Sequence, residues 1–286
     1  ETGAQVIRQV YPRLGIVPGL ILAPGWSQIP EVGLALAAKA AKINGVYSAM
    51  ALLDLDTAKA KKYTDTKSVK EESGYTSPFC YPLWPCDRVG EYILAKSAVA
   101  GAMIQYMASD NEDVPNQSPS NHLLGVGGQC LEDGTEVYLD QDQANTVNGY
   151  GVTTAINQNG YRLWGNYTGA YPASSDAKDI WFAVRRMFSW QGNNFIQTYF
   201  DEVDDPMNNV LVQSVVDSEN IRCSAYAPKY WAGASIEYKS DDNPKTAILA
   251  GTMKFRQHIA PYTPAQEIVD IIDYDTDTLA AAVGGN

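Results

Sequence analysis

Side chains that commonly do chemistry are few in this sequence and poorly spaced for it. It has two histidines, His122 and His258. A hydrolytic site needs a base within reach of an activated nucleophile, and no Gly-x-Ser-x-Gly elbow presents one. His122, next to Asn121 and near several serines, therefore reads as a structural or surface histidine. Gly125-Val126-Gly127-Gly128 has the glycine density of a phosphate loop. It lacks the lysine, and Cys130-Leu131-Glu132-Asp133-Gly134 opens no helix to receive the anion, so it reads as a turn. Acid groups at Asp54 and Asp56, Asp140 and Asp142, and Asp201 to Asp205 could hold a divalent cation. Asp140-Gln141-Asp142-Gln143 lacks the glycine and terminal glutamate of a calcium loop, and solvated acidic loops are the simpler reading. Cys80, Cys86, Cys130 and Cys223 match no zinc spacing and read as reduced thiols, with a Cys80–Cys86 bridge left open. No catalytic residue, cofactor or metal is expected.

Composition narrows the partners. Lys and Arg total 21 against 33 Asp and Glu, a net charge of -12 with no basic block. Neutralising a phosphate backbone takes clustered cations, so no nucleic-acid partner is expected. No run of about 18 apolar residues occurs, so no helical membrane insertion is expected. The 18 Tyr and 6 Trp suit packed cores and also wet interfaces, where the ring is buried and its polar tip hydrated. The length of 286 residues allows one large or two ordinary domains. The opening Glu1-Thr2-Gly3, without Met, predicts a removed N-terminus or an excised fragment.

Periodicity predicts the elements that hold these residues. Gly19–Ala23 is a short apolar run closed by Pro24-Gly25, as for a buried strand. Ser27 is expected to cap a helix with Pro30 in its first turn, stopped at Asn44-Gly45. Val46 to Leu53 predicts a second strand and Thr57 to about Lys70 a polar helix. Phe79 to Trp84 predicts an edge or irregular strand, because Pro82 cannot complete a ladder on both sides. Glu91 to Ala108 reads as a helix and Asp110 to Asn121 as a loop. Val152–Ile156 and Tyr161–Trp164 flank Asn157-Gln158-Asn159-Gly160, a hairpin signal. Ala177 to Val203 predicts a long helix, possible interruptions falling at Gly192 and Asn193-Asn194, and Asp205-Pro206 the start of another reaching about Ser218. Ala234–Lys239 and Gly251–Ile259 read as strands, with Met253, Phe255 and Gln257 alternating against Lys254, Arg256 and His258. The expected class is α/β, a helix-covered mixed sheet with a strand-rich C-terminal part and a C-terminal arm.

One ordered constellation goes beyond composition. It runs Ser118-Pro119-Ser120-Asn121, Val147-Asn148, Gly151-Val152-Thr153-Thr154, then Gly160-Tyr161-Arg162-Leu163-Trp164-Gly165-Asn166-Tyr167-Thr168. Val184-Arg185-Arg186, Gly251-Thr252-Met253-Lys254-Phe255 and Pro261-Tyr262-Thr263-Pro264-Ala265 follow, and Thr2-Gly3 with Pro18 to Gly25 precede. In this it resembles the tail sheath proteins of contractile phage tails, prophage tails and R-type bacteriocins, over nearly the whole chain.

The resemblance implies a structural subunit that polymerises helically around a tail tube and contracts. Its partners would be neighbouring sheath subunits, the tail tube protein and the baseplate. It implies an N-terminally truncated body over residues 1–264 and a C-terminal arm over residues 265–286. Ser120, Asn121, Asn148, Trp164, Gly165, Asn166 and Thr168 would form a structural motif, with Trp164 in the core, Gly165 at a tight bend, and Asn166 and Thr168 satisfying backbone groups. Glu267, Ile268, Val269, Asp270, Ile271 and Ile272 would pair with neighbouring subunits. Tyr167 stands where sheath chains usually carry Arg. The alternative from another class is a nucleotide-dependent enzyme on a doubly wound sheet, which the strand–helix alternation alone would support.

Overall fold

The computed structural model describes residues 3–284. Thr2, part of the resemblance, and the last two residues of the expected arm lie outside them. After a 3-10 turn and the short helix α1 (Val10–Leu14), the chain runs β1 (Leu20–Leu22), α2 (Pro30–Ala41), β2 (Met50–Asp54), α3 (Thr66–Ser73) and β3 (Cys80–Leu83). These strands form a parallel sheet in the order β1-β2-β3, with Leu20 opposite Met50 and Ala51 opposite Cys80. Pro82 thus lies in an edge strand, as its missing N–H requires.

Strand β2 is buried along its whole length, and its alternation divides the core. Ala51 and Leu53 face α2 and α3, packing with Leu36, Ala40, Val69 and Tyr75. Met50 and Leu52 face the opposite side, with Ala100, Met103 and Ile104 of the next helix and Phe182. A sheet covered on both faces accounts for the nearly continuous apolar run in β2.

The next segment departs from the helix expected over Glu91–Ala108. It forms β4 (Cys86–Val89) and β5 (Tyr92–Leu94), and α4 begins only at Lys96 and runs to Asp110. Gly90, at a φ of 61°, turns the chain so that Val89 pairs with Tyr92. Strand β6 (Gly128–Cys130) completes this sheet in the order β5-β4-β6. Then come α5 (Gln141–Gly149) and the hairpin β7 (Thr154–Asn157) and β8 (Tyr161–Trp164), turning where Asn157 to Gly160 was expected to turn it.

The long helix expected from Ala177 is two helices, α6 (Ala177–Ile180) and α7 (Phe182–Thr198). The break is at Trp181, held extended by an antiparallel bridge to Tyr167, while Gly192 passes through α7 without interruption. Helix α8 is Asn209–Ala225, later than expected, because the Asn208 side chain rather than Asp205 caps it, accepting from the Leu211 N–H at 2.9 Å.

Strand β9 (Trp231–Glu237), helix α9 (Lys245–Leu249) and strand β10 (Arg256–Pro261) follow, with β9 and β10 forming a two-stranded antiparallel sheet. The alternation expected along β10 holds: Gln257 and Ile259 are half-buried, while Arg256 and His258 are exposed. This part has its own core of Met187, Cys223, Tyr230 and Trp231. Residues 262–275 form no regular element, and a short helix α10 (Thr276–Ala282) ends the described chain. The class is mixed α/β, built from several small sheets rather than one.

Candidate functional site

The expected motif residues come together around the β7–β8 hairpin. The loop 118–124 lies along β8 as an irregular third strand. Asn121 N–H donates to the Leu163 carbonyl at 2.6 Å, Leu163 N–H to that of His122 at 2.9 Å, and Leu124 N–H to that of Tyr161 at 2.9 Å. Arg162 ties the loop from outside, its Nη1 donating to the Asn121 carbonyl at 2.8 Å. The Ser120 hydroxyl accepts from Gly165 N–H at 3.1 Å, and the Ser118 hydroxyl donates to Asn166 Oδ1.

Gly165 is required where it stands. Its φ is +150°, and a Cβ there would lie 2.5 Å from Thr153 Oγ1 and 2.9 Å from Thr153 Cα. Its carbonyl accepts from the buried Tyr81 hydroxyl at 2.7 Å, fastening the hairpin to the edge of the main sheet. Asn148, reaching from α5 with its amide nitrogen turned to the hairpin, donates to the carbonyls of Trp164 at 2.8 Å and Val152 at 2.9 Å. Asn166 O accepts from Phe182 N–H at 2.8 Å, starting α7. Thr168 N–H donates to the Ile180 carbonyl at 2.8 Å and its hydroxyl to the Asp179 carbonyl at 2.5 Å, closing α6.

Trp164 does not fill the core. It is half-buried, and its indole N–H donates to Asn145 Oδ1 at 2.9 Å. Alternation explains this: Leu163, one residue before, takes the inward position and is fully buried. The fully buried tryptophans are Trp84 and Trp231.

The C-terminal segment begins at this site. A groove of 610 Å³ is lined by Ser120, Asn121, His122, Trp164, Asn166 and, on the other side, Pro264 to Gln266 and Ile268. Tyr167 is stacked between Tyr171, with ring centres 3.7 Å apart, and Trp181 at 4.8 Å. Its hydroxyl donates to Gln266 Oε1 at 2.6 Å. Past that point, Ile268 is 89% exposed, Ile271 80% and Ile272 87%; Glu267, Val269 and Asp270 are exposed as well.

Three polar clusters were not foreseen. Asp54, expected in a solvated loop, is buried. It accepts from Ser97 N–H at 2.8 Å, from the Ser97 hydroxyl at 2.5 Å and from the Ser27 hydroxyl at 2.9 Å, so Ser27 serves Asp54 instead of capping α2. Burial pushes its carboxyl above the usual range, against those hydrogen bonds and Lys96. Asp87 and Lys96 form an ion pair from which water is fully excluded. Glu219 is also fully buried, and holds α7, α8 and β10 together through Gln191 at 2.6 Å, Arg222 at 2.5 Å and Gln257 at 3.4 Å. Lone acids in apolar stretches were the only available signal for these clusters, and sequence does not give their partners.

The Gly125–Gly128 loop runs into strand β6, not into a helix. The four cysteines are unbridged. Among the described residues no His, Cys, Asp and Glu group could hold a metal ion, and no helix is long and apolar enough to cross a membrane.

No family model matches the chain. Its fold is that of a contractile-tail sheath subunit. It overlays the sheath complex of an extracellular contractile injection system in the contracted state with a TM-score of 0.76, over 97% of this chain and 76% of the other, at 17% identity. Among curated relatives, it is 27% identical over 197 residues to the major tail sheath protein of Serratia phage KSP20, covering 66% of this chain and 48% of that one. It is 24% identical over 276 residues to the tail sheath protein of Escherichia phage P2, covering 93% and 64%. The chain is thus similar in sequence to curated tail sheath proteins and shares the fold of a contractile sheath. It spans between about half and two thirds of the length of these curated relatives.

Proposed function

We propose that the chain is the body and C-terminal arm of a sheath subunit that polymerises head to tail around a tail tube and contracts to drive it through a target envelope. The observation that carries this reading is the segment after Gln266. It leaves the body with its aliphatic side chains in water, although burying each would contribute about 1.5–3 kcal/mol. Such a segment suits a binding site on another subunit. Residues 1–264 are then the body and 265–286 the arm.

Two different surfaces that fit head to tail propagate as a helix and do not close as a dimer. Strands β9 and β10 form a sheet of only two strands, leaving edges that can accept a strand from a neighbour. Main-chain hydrogen bonds of that kind tether subunits while they repack, and an extended sleeve can be held kinetically until the baseplate releases it. The partners are neighbouring sheath subunits, the tail tube protein and the baseplate. The place is the virion tail, assembled in the cytoplasm of the bacterial host.

Electron microscopy of the protein expressed alone at its natural length tests this. Hollow tubes or sleeve fragments are the expected outcome. A protein that stays monomeric at all concentrations and salt conditions sinks the reading.

A further inference from the structure

Two of the four free cysteines face each other across a sheet. Strands β4 and β6 are antiparallel, and their register sets Cys86 directly opposite Cys130. Directly opposed residues on antiparallel strands share one face of the sheet, with Cα atoms about 4.5 or 5.5 Å apart according to the hydrogen-bonding pattern. A disulfide spans Cα separations of about 4.4–6.8 Å. The pair is therefore a reduced dithiol whose backbone already fits a bridge. The other two thiols stand alone. Cys80 lies on β3 opposite Ala51, and its thiol donates to the Ser77 carbonyl at 3.2 Å. Cys223, on α8, lies 3.9 Å from the Glu219 carboxylate. Cys80, the partner for Cys86 that spacing left open, belongs to a different sheet.

Access gives the two members different parts. Cys86 is half-buried and Cys130 fully buried, so a reagent meets Cys86 first. Burial pushes the Cys86 thiol up to about 12, with Asp54 and Cys130 adding to the rise. Burial also raises Cys130, against Arg88, which follows Cys86 on the same face of β4. Thiols of this kind attack slowly, since little thiolate is present at neutral pH. For the same reason they are poor leaving groups, so a bridge once made is slow to reopen. The turn after β6 is already tied down. Leu131 N–H donates to the Thr135 carbonyl at 2.8 Å, Glu132 N–H to Thr57 Oγ1 at 3.1 Å, and Arg88 Nη2 to the Gly134 carbonyl at 2.9 Å. A bridge would add a covalent tie to a backbone that has little need to move.

We propose that Cys86 and Cys130 form a modification site, at which a low-mass disulfide such as oxidised glutathione produces a cross-strand disulfide pinning β6 and its turn to β4. The Cys86 thiolate attacks one sulfur of the reagent, forming a mixed disulfide and releasing one low-mass thiol. The Cys130 thiolate then attacks the Cys86 sulfur and releases the second. The two protein thiols give up two electrons and two protons, and the two released thiols carry both away. The reduced pair suits the reducing cytoplasm in which a sheath subunit would be made, and the bridge suits oxidising surroundings outside the cell. That match rests on the proposed function; the bridge itself does not.

The test incubates the folded chain with oxidised glutathione at about pH 8.5, where more thiolate forms. Titratable thiols should fall from four to two, and digestion should release one linked peptide pair joining Cys86 to Cys130. The melting temperature should rise by several degrees, because the bridge closes the loop between the two strands in the unfolded chain, and should return on reduction. Cys86→Ser and Cys130→Ser should each abolish both the linked peptide and the rise. The peptide mapping needs only the unsubstituted chain, so the test survives if Cys130→Ser folds poorly. A folded chain that keeps four thiols while its urea-unfolded form reacts overturns the pairing. So does a stable glutathione adduct on Cys86 that Cys130 fails to resolve, or a linkage through Cys80 or Cys223. Each of these outcomes leaves the sheath reading standing.

Discussion

The Tyr167 hydroxyl donates to Gln266 Oε1 at 2.6 Å, and this bond joins the motif hairpin to the root of the C-terminal segment. Tyr167 can hold that position because its ring is clamped between Tyr171 and Trp181. Tyr167 thus ties the hairpin to Gln266 at the root of the C-terminal segment. From Glu267 to Ile272 the side chains are exposed.

Tyr167→Phe should loosen the root without unfolding the body. One exposed hydrogen bond is worth about 0.5–1.5 kcal/mol, and the stack is kept. Limited proteolysis should then cut faster between Pro264 and Val269, with the melting temperature nearly unchanged. An unaltered cleavage rate would mean that the anchor lies elsewhere.

Trp231→Ala should destabilise far more than Trp164→Ala. Trp231 is fully buried and its indole donates to the Cys223 carbonyl at 3.0 Å, so truncation should cost about 3–5 kcal/mol. Trp164 is half-buried and should cost clearly less. Substitutions at His122 and the exposed His258 should stay within about 0.5 kcal/mol. Urea midpoints of the four variants give the order directly.

These contrasts mark where the sequence was readable. Strands β1, β2 and β3, the β7–β8 hairpin and strands β9 and β10 were legible from local periodicity and turn chemistry, which act within a few residues; the order of the strands was not. The motif residues were found together because a resemblance supplied their order. Trp164 was misplaced because hydrophobic size does not decide which side of a pleat faces the core; the register with Leu163 does. Tyr92–Leu94 was misread as helix because a three-residue strand shows no period, and the turn at Gly90 outweighs it. Apart from the Glu219–Arg222 pair on one helix, the Asp54, Asp87 and Glu219 clusters join residues between 9 and 43 positions apart, a distance over which no local pattern operates.

Gly165→Ala should lower stability by about 1–3 kcal/mol, since the new methyl would press on Thr153 and Asn148 while the backbone is held at a φ that non-glycine residues avoid. The loss should appear as a lower urea midpoint with an unchanged slope. A neutral result would show that the hairpin shifts freely, and that its tie to Tyr81 does not fix it.

Asp54→Asn should change how stability depends on acid. Burial raises the folded-state carboxyl of Asp54 above its unfolded value near 3.9. Between those values the native state binds the extra proton. Stability from this group is therefore fully present below the unfolded value and is lost as pH rises through the folded one. Asparagine does not titrate. The wild-type minus variant difference in unfolding free energy should fall as pH rises from about 4 towards neutrality, then level off. Denaturation curves across that range measure it, and a flat difference would mean that the Ser97 and Ser27 hydrogen bonds outweigh burial.

Ending the chain after Glu267 should leave the body intact and abolish assembly. Ile268, Val269, Ile271 and Ile272 are between 68% and 89% exposed, so removing them takes little apolar burial from the monomer. At about 25 cal/mol per Å², only the area actually covered counts, and the Tyr167–Gln266 bond is kept by the choice of cut. The melting temperature of the shortened chain should match that of the complete one. Made in the protein at its natural length, the same cut should eliminate tubes, because each subunit would lose the segment proposed above to reach its neighbour. A lowered melting temperature would mean that the segment docks on its own body in solution. Tubes of normal length from the truncated protein would show that assembly does not use the arm.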